Sequence, residues 1–155
     1  MKKIVFIALV ALSISTAYAK DKGPKIELND DTVLVDKKPV FILETQNKKK
    51  GALTDYAVKD LNGTKLLYLT INFYSYNFGY NASGAPSFNT VTYFEVTFSD
   101  SEQKAEFKHY RQPKLAEFLV DSGLIESGKI AKDKEEEFIL ENGTEFSEIR
   151  KLRKQ

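Results

Sequence analysis

A single histidine, His109, and no cysteine set the chemical limits of this 155-residue chain. Any histidine-based mechanism must use His109. Its neighbours Lys108 and Tyr110 offer no recognisable nucleophile motif, and no Gly-x-Ser-x-Gly occurs. His109 reads instead as a partly exposed strand residue close to Phe107. One histidine without cysteine also removes the usual ligand clusters of zinc and copper sites. Disulfides and thiolate nucleophiles are excluded with the cysteines. What remains is carboxylate chemistry, with 22 acids to supply it. A small carboxylate-dependent hydrolase would need two acids tuned apart, and no spacing singles out such a pair. Asn29-Asp30-Asp31 lacks the spacing of a calcium loop and reads as a turn. Glu135, Glu136 and Glu137 read as first-turn acids that complement a helix dipole. No glycine-rich phosphate loop occurs. No cofactor is expected.

One stretch stands above this background. Beyond position 19 the chain has 17 aromatic residues, and ten of them fall between Tyr68 and Phe98. Tyr74, Tyr76, Phe78 and Tyr80 alternate through a segment otherwise made of Ser, Asn and Gly. Tyrosine gives broad contact area at small entropic cost, and this mixture is the composition of recognition loops. These four residues are the candidate ligand-binding set, suited to a glycan or protein partner of the cell envelope. The competing expectation is that their rings pack on the sheet or on the C-terminal helices.

The charge balance, 23 basic against 22 acidic side chains, gives no field suited to nucleic acid. Arg150, Lys151, Arg153 and Lys154 make a basic end, but Glu145 and Glu148 dilute it, so it reads as a solvated tail.

Residues Met1 to Ala19 have the form of a secretory signal peptide. Lys2 and Lys3 precede an apolar run, Ile4 to Ile14, and Ala17-Tyr18-Ala19 is a small-x-small cleavage site. The run is too short to span a bilayer, which needs about 20 apolar residues, so no stable membrane anchor is expected. The expected organisation is a leader over 1–19 and one domain over 20–155, exported to the periplasm or the cell exterior. A cysteine-free exported domain must be held by its apolar residues alone.

The elements that position these residues read as strands first and helices last. Thr32 to Val35 and Val40 to Glu44 flank Asp36-Lys37-Lys38-Pro39 as a hairpin, and Lys48-Lys49-Lys50-Gly51 is a polar break. Asp55 to Leu61 and Thr64 to Phe73 flank Asn62-Gly63, the pair suited to a two-residue type I′ turn. Leu67, Leu69, Ile71 and Phe73 share one face, and the aromatic phase then switches to Tyr74. That switch predicts a bulge, or a strand leaving its sheet. Thr90 to Phe98 alternates again, so part of Ser75 to Asn89 is expected to be a projecting hairpin or binding loop. Lys104 to Tyr110 reads as a strand, with a short helix as its alternative. Pro113 opens a helix that Gly123 closes, with Leu124 as the following apolar contact. Asp133 is expected to cap a second helix, with Glu136 three residues on; Phe138, Ile139 and Leu140 would pack it. Asn142-Gly143 either ends that helix or makes another hairpin.

Thr32-Val33-Leu34-Val35-Asp36-Lys37, Tyr93-Phe94-Glu95-Val96-Thr97-Phe98 and the stretch Lys114 to Ile125 carry a resemblance, as does the end helix closing on Asn142-Gly143. On these core and capping patterns the chain resembles exported proteins of flavobacteria and their relatives for which no activity is established. The resemblance implies the compartment and the strands-then-helices order, and nothing about mechanism. It also implies one modification, O-glycosylation at Thr32, because Asp31-Thr32-Val33 has the Asp-Ser/Thr-apolar form used by such bacteria.

The resulting expectation is an α+β fold. An antiparallel sheet of five to seven strands is followed by two short C-terminal helices on one face. The expected function is a non-catalytic binding or structural module. The alternatives are the small hydrolase, and an inhibitor or assembly factor that uses a sheet edge.

Overall fold

The computed structural model describes residues 23–48 and 53–153. The expected leader, Met1 to Ala19, and the Lys49-Lys50-Gly51 part of the polar break lie outside the described residues. Seven strands pair in chain order, every neighbour antiparallel. They are β1 (Ile26–Asn29), β2 (Thr32–Val35), β3 (Lys38–Lys48), β4 (Thr54–Lys59), β5 (Lys65–Tyr80), β6 (Pro86–Phe98) and β7 (Lys104–Lys108). Three helices follow: α1 (Gln112–Asp121), α2 (Lys132–Asn142) and α3 (Glu145–Leu152). This is the expected α+β architecture with the full seven strands. The two expected helices are α1 and α2, and α3 continues α2 around a bend at Gly143.

The turns form where the sequence places them, with different chemistry. Asp36 and Lys37 alone join β2 to β3, both at positive φ (49° and 67°), so the four-residue turn contracts to two. The strain of two left-handed non-glycine residues is offset in part by the Asp36 carboxylate, which accepts the Lys25 N–H at 3.0 Å. Asn62-Gly63 is not a two-residue turn. Asp60 organises a longer one: its carboxylate accepts the N–H groups of Asn62 (2.9 Å) and Thr64 (2.7 Å). Gly63 alone takes the positive φ, at 89°. Asp30-Asp31 forms the β1–β2 turn, and Thr32, half-buried, begins β2 directly after it.

The core lies on one face of the sheet. Val33, Phe41, Leu43, Val58, Leu67, Leu69, Phe94 and Val96 are buried there beneath Leu115 and Leu119 of α1 and Phe138 of α2. Helix α1 touches β1 and, through Phe118 on Phe107 (4.5 Å between rings), also β7. Those are the two edge strands. A flat seven-stranded sheet would hold them about 29 Å apart, and a helix is about 10 Å wide. The sheet therefore curves around α1.

Two local expectations are corrected. Asp133 does not cap α2; Ala131 holds that position with no side-chain bond, and Asp133 lies in the first turn. Leu140 stands outside the core, being 87% exposed. Gly143, at φ 53°, ends α2 and removes the hairpin alternative.

Helix α3 lies on the opposite face of the sheet, so α2 and α3 clasp the edge strand β7 between them. The Glu106 N–H donates to the Gly143 carbonyl (2.9 Å), and the buried Glu106 carboxylate accepts the Ser147 N–H (2.9 Å). Thr144, the N-cap residue of α3, makes no side-chain cap bond. A strand carboxylate thus does the work of the cap. Phe146 stacks on the buried Tyr93 with ring centres 5.1 Å apart, which fixes the helix on that face.

Candidate functional site

Strands β5 and β6 outrun their neighbours. The last β4–β5 pair is Tyr56 with Leu69, and the next outward N–H, that of Ile71, donates to the Asp55 carboxylate at 2.8 Å. On the other side the last β6–β7 pair is Tyr93 with Lys108, followed by the His109 N–H to the Thr92 carbonyl. Beyond these points the two strands pair only with each other, and a two-stranded ribbon projects from the sheet. The expected projecting hairpin is this ribbon.

The ribbon is tied internally. At its tip the Asn81 side-chain carbonyl accepts the N–H groups of Ser83 (3.1 Å) and Ala85 (3.0 Å), repeating the arrangement around Asp60. Ser75 and Thr90 join hydroxyls across the strands at 2.8 Å, and the Asn89 amide donates to the Tyr76 hydroxyl at 3.1 Å. No bulge occurs at the phase switch. The register from Leu67 with Phe98 to Asn77 with Phe88 is unbroken, and it shifts only between Asn77 and Gly79. The aromatic phase switches because the covered face switches. Within the sheet the face of Leu67, Leu69 and Ile71 is buried by α1 and α2. Along the ribbon α3 covers the face of Asn72, Tyr74 and Tyr76.

The four candidate residues consequently divide. Tyr74 and Tyr76 are half-buried, with Tyr74 against Tyr93 and Tyr76 beneath the Arg153 guanidinium, 4.4 Å from its ring centre. For these two the packing expectation holds. Phe78 and Tyr80 are 65% and 74% exposed at the far end. Phe73 and Phe88, 54% and 63% exposed, join them as open rings that alternation alone did not single out. No charged residue stands between Lys65 and Glu95 in a chain that is 29% charged.

A cleft of about 430 Å³ lies at the root of the ribbon, lined by Leu53, residues 71–75, Arg150 and Arg153. The basic end is therefore not a solvated tail throughout. Arg150 donates to the Asn72 side-chain carbonyl at 3.1 Å, and Arg153 covers Tyr76. The missed signal is Phe146 and Ile149, three apart and followed by Arg150 and Arg153 at helical spacing. Burial pushes the Tyr93 phenol above its ordinary range, and the nearby Arg150 opposes that shift without meeting the hydroxyl in hydrogen-bond geometry.

Several acids are engaged in structural contacts. Asp60, Asp100 and Glu135 are among the residues that line a second cleft. Asp60 is engaged by its turn, and Glu135 by the Ser101 hydroxyl. Lys25 holds Glu27 below the usual carboxylate range, and Lys59 does the same for Glu44. Burial acts to raise the Asp60 carboxyl, but the Thr64 and Asn62 N–H groups outweigh it and hold it low. Among the described residues no three of His, Asp and Glu cluster as metal ligands.

His109 follows the last residue of β7, half-buried, with its ring 5.2 Å from that of Phe94. Burial, then the charge of Arg111, lowers its pKa below 6.5. The folded state therefore favours the neutral ring. Its stabilisation is complete above about pH 6.5 and is lost as pH falls toward the lower folded value. Melting temperatures taken between about pH 7.5 and 5 should show that loss, and His109→Gln should reduce it. An unchanged profile in the variant would show that other groups control it.

Comparison with known proteins finds no matching family model, no matching curated protein and no matching solved structure.

Proposed function

We propose that this chain is an exported, non-catalytic binding module whose contact surface is the β5–β6 ribbon. The observation that carries the reading is the set of four open rings, Phe73, Phe78, Tyr80 and Phe88, on a ribbon tied from within. Several large rings left open along one ribbon are apolar surface of the kind that proteins use for contact. Internal hydrogen bonding lowers the entropic cost of using it. Export is supported by the Met1–Ala19 pattern. A glycan or a protein of the cell envelope suits such rings.

The test is a triple variant, Phe78→Ser, Tyr80→Ser and Phe88→Ser, titrated against a glycan array and cell-envelope extract beside the unaltered protein. These side chains are exposed, so each change should cost no more than about 0.5 kcal/mol of stability. Binding should fall at least about tenfold, the scale of an interface hot spot. Full binding by the folded triple variant would remove the ribbon tip from the contact surface.

A second reading, an inhibitor or assembly factor acting through a sheet edge, is favoured by one feature. Both outer edges of the ribbon lack a strand partner among the described residues and carry no charge to repel one.

A further inference from the structure

The two edges of the ribbon are not equivalent. Antiparallel strands point the N–H and C=O of alternate residues to the same side. The Ile71 N–H faces the β4 side, where Asp55 accepts it. The main-chain groups of Phe73 and Ser75 therefore face that side too, past the end of β4, and both residues line the root cleft. The same cleft receives Arg150 and Arg153.

Among the described residues neither arginine forms an ion pair; Arg150 meets the neutral Asn72 and Arg153 the Tyr76 ring. The nearby acids are engaged elsewhere, Asp55 by the Ile71 N–H (2.8 Å), Glu95 by Lys104 (2.8 Å) and Glu106 by the Ser147 N–H. Both arginines lie at the end of α3, where the helix dipole presents about half a negative charge. Two full positive charges exceed that. Among the described residues the cleft thus combines a strand edge without a strand partner with guanidinium groups that form no ion pair and favour carboxylates.

We infer that the β5 edge at Phe73–Ser75 takes up an extended segment of a partner protein as an added strand, with an Asp or Glu of that segment meeting Arg150 and Arg153. The inference rests on the ribbon being the contact surface, and it names the edge and the partner chemistry. Main-chain pairing would supply the affinity and the arginines the selectivity. A neutral sugar would use the rings, but it offers no carboxylate to Arg150 and Arg153.

The experiment pans a library of random eight-residue peptides on the mature chain, residues 20–155. Selected peptides are then bound to 15N-labelled protein. Enrichment in Asp or Glu flanked by β-branched residues is expected, with slowed amide exchange at Phe73 and Ser75. Arg153→Gln alters an exposed side chain and should weaken those peptides at least about tenfold; Arg150→Gln/Arg153→Gln should weaken them further. Peptides without acidic enrichment, or an empty selection, would overturn the inference. Protection absent at Phe73 and Ser75 would also overturn it. Shifts confined to Phe78, Tyr80 and Phe88 would leave the ribbon as contact surface while removing this edge. Loss of binding in the triple ring variant with Arg153→Gln unaffected would have the same meaning.

Discussion

Phe107→Ala is expected to destabilise the protein by about 3–5 kcal/mol, the range for emptying an aromatic site in a packed core. Phe107 is buried at the junction of three elements. Its ring centre lies 5.6 Å from that of Phe94 on β6, 4.5 Å from Phe118 on α1 and 6.1 Å from Phe138 on α2. Alanine there removes the surface on which both helices rest. Small domains are stable by only about 5–15 kcal/mol, so this one change would cost a large part of the total. The melting temperature should fall by roughly 10 °C or more. Phe78→Ala, which alters an exposed ring, should cost about 0.5 kcal/mol or less and serves as the comparison. A loss below about 1 kcal/mol for Phe107→Ala would show that the helices are held by other contacts.

Glu106→Ala is expected to release α3 at a cost of about 1–3 kcal/mol, the range for a lost hydrogen bond to a charged group. The buried carboxylate caps α3 from β7, and the helix has no cap of its own. Glu106→Gln keeps an acceptor oxygen in place and should lose less than the alanine variant, since only the charge is removed. Amide exchange separates this from general weakening. In Glu106→Ala the α3 amides should exchange much faster, with those of β3 and β4 little altered. If Gln and Ala variants behaved alike and α3 stayed protected, Phe146 on Tyr93 would be the anchor instead.

Much of this architecture is legible in the sequence because it is specified locally. The hairpin at Asp60 to Gly63 and the ends of α1 at Pro113 and Gly123 are set by residues close in sequence. The alternation Leu67, Leu69, Ile71 places β5 correctly for the same reason. β1 escapes notice because four residues before a turn are too few to establish a period. α3 escapes because its cap and its packing surface come from Glu106, Tyr93 and Asn72, far away in the chain. The ribbon rings were only half legible. Alternation reveals that Phe73 and Tyr74 face opposite ways, but the face that is covered depends on where α3 lies. Arg150 and Arg153 are likewise a charged tail until that helix brings them to the root of the ribbon.

Strand order has a consequence for how the chain reaches this state. Every strand is followed in sequence by its own neighbour in the sheet. Each hairpin can therefore close a short loop as soon as its second arm emerges, which favours rapid, stepwise growth over a search among distant segments. Longer-range contacts then tie the helices to strands already assembled, α1 to β1 and the clasp at Gly143 to β7. Until the clasp closes, Tyr93 and the flank of β7 stand open to neighbouring chains, so the vulnerable interval falls after the sheet has formed and before α3 docks.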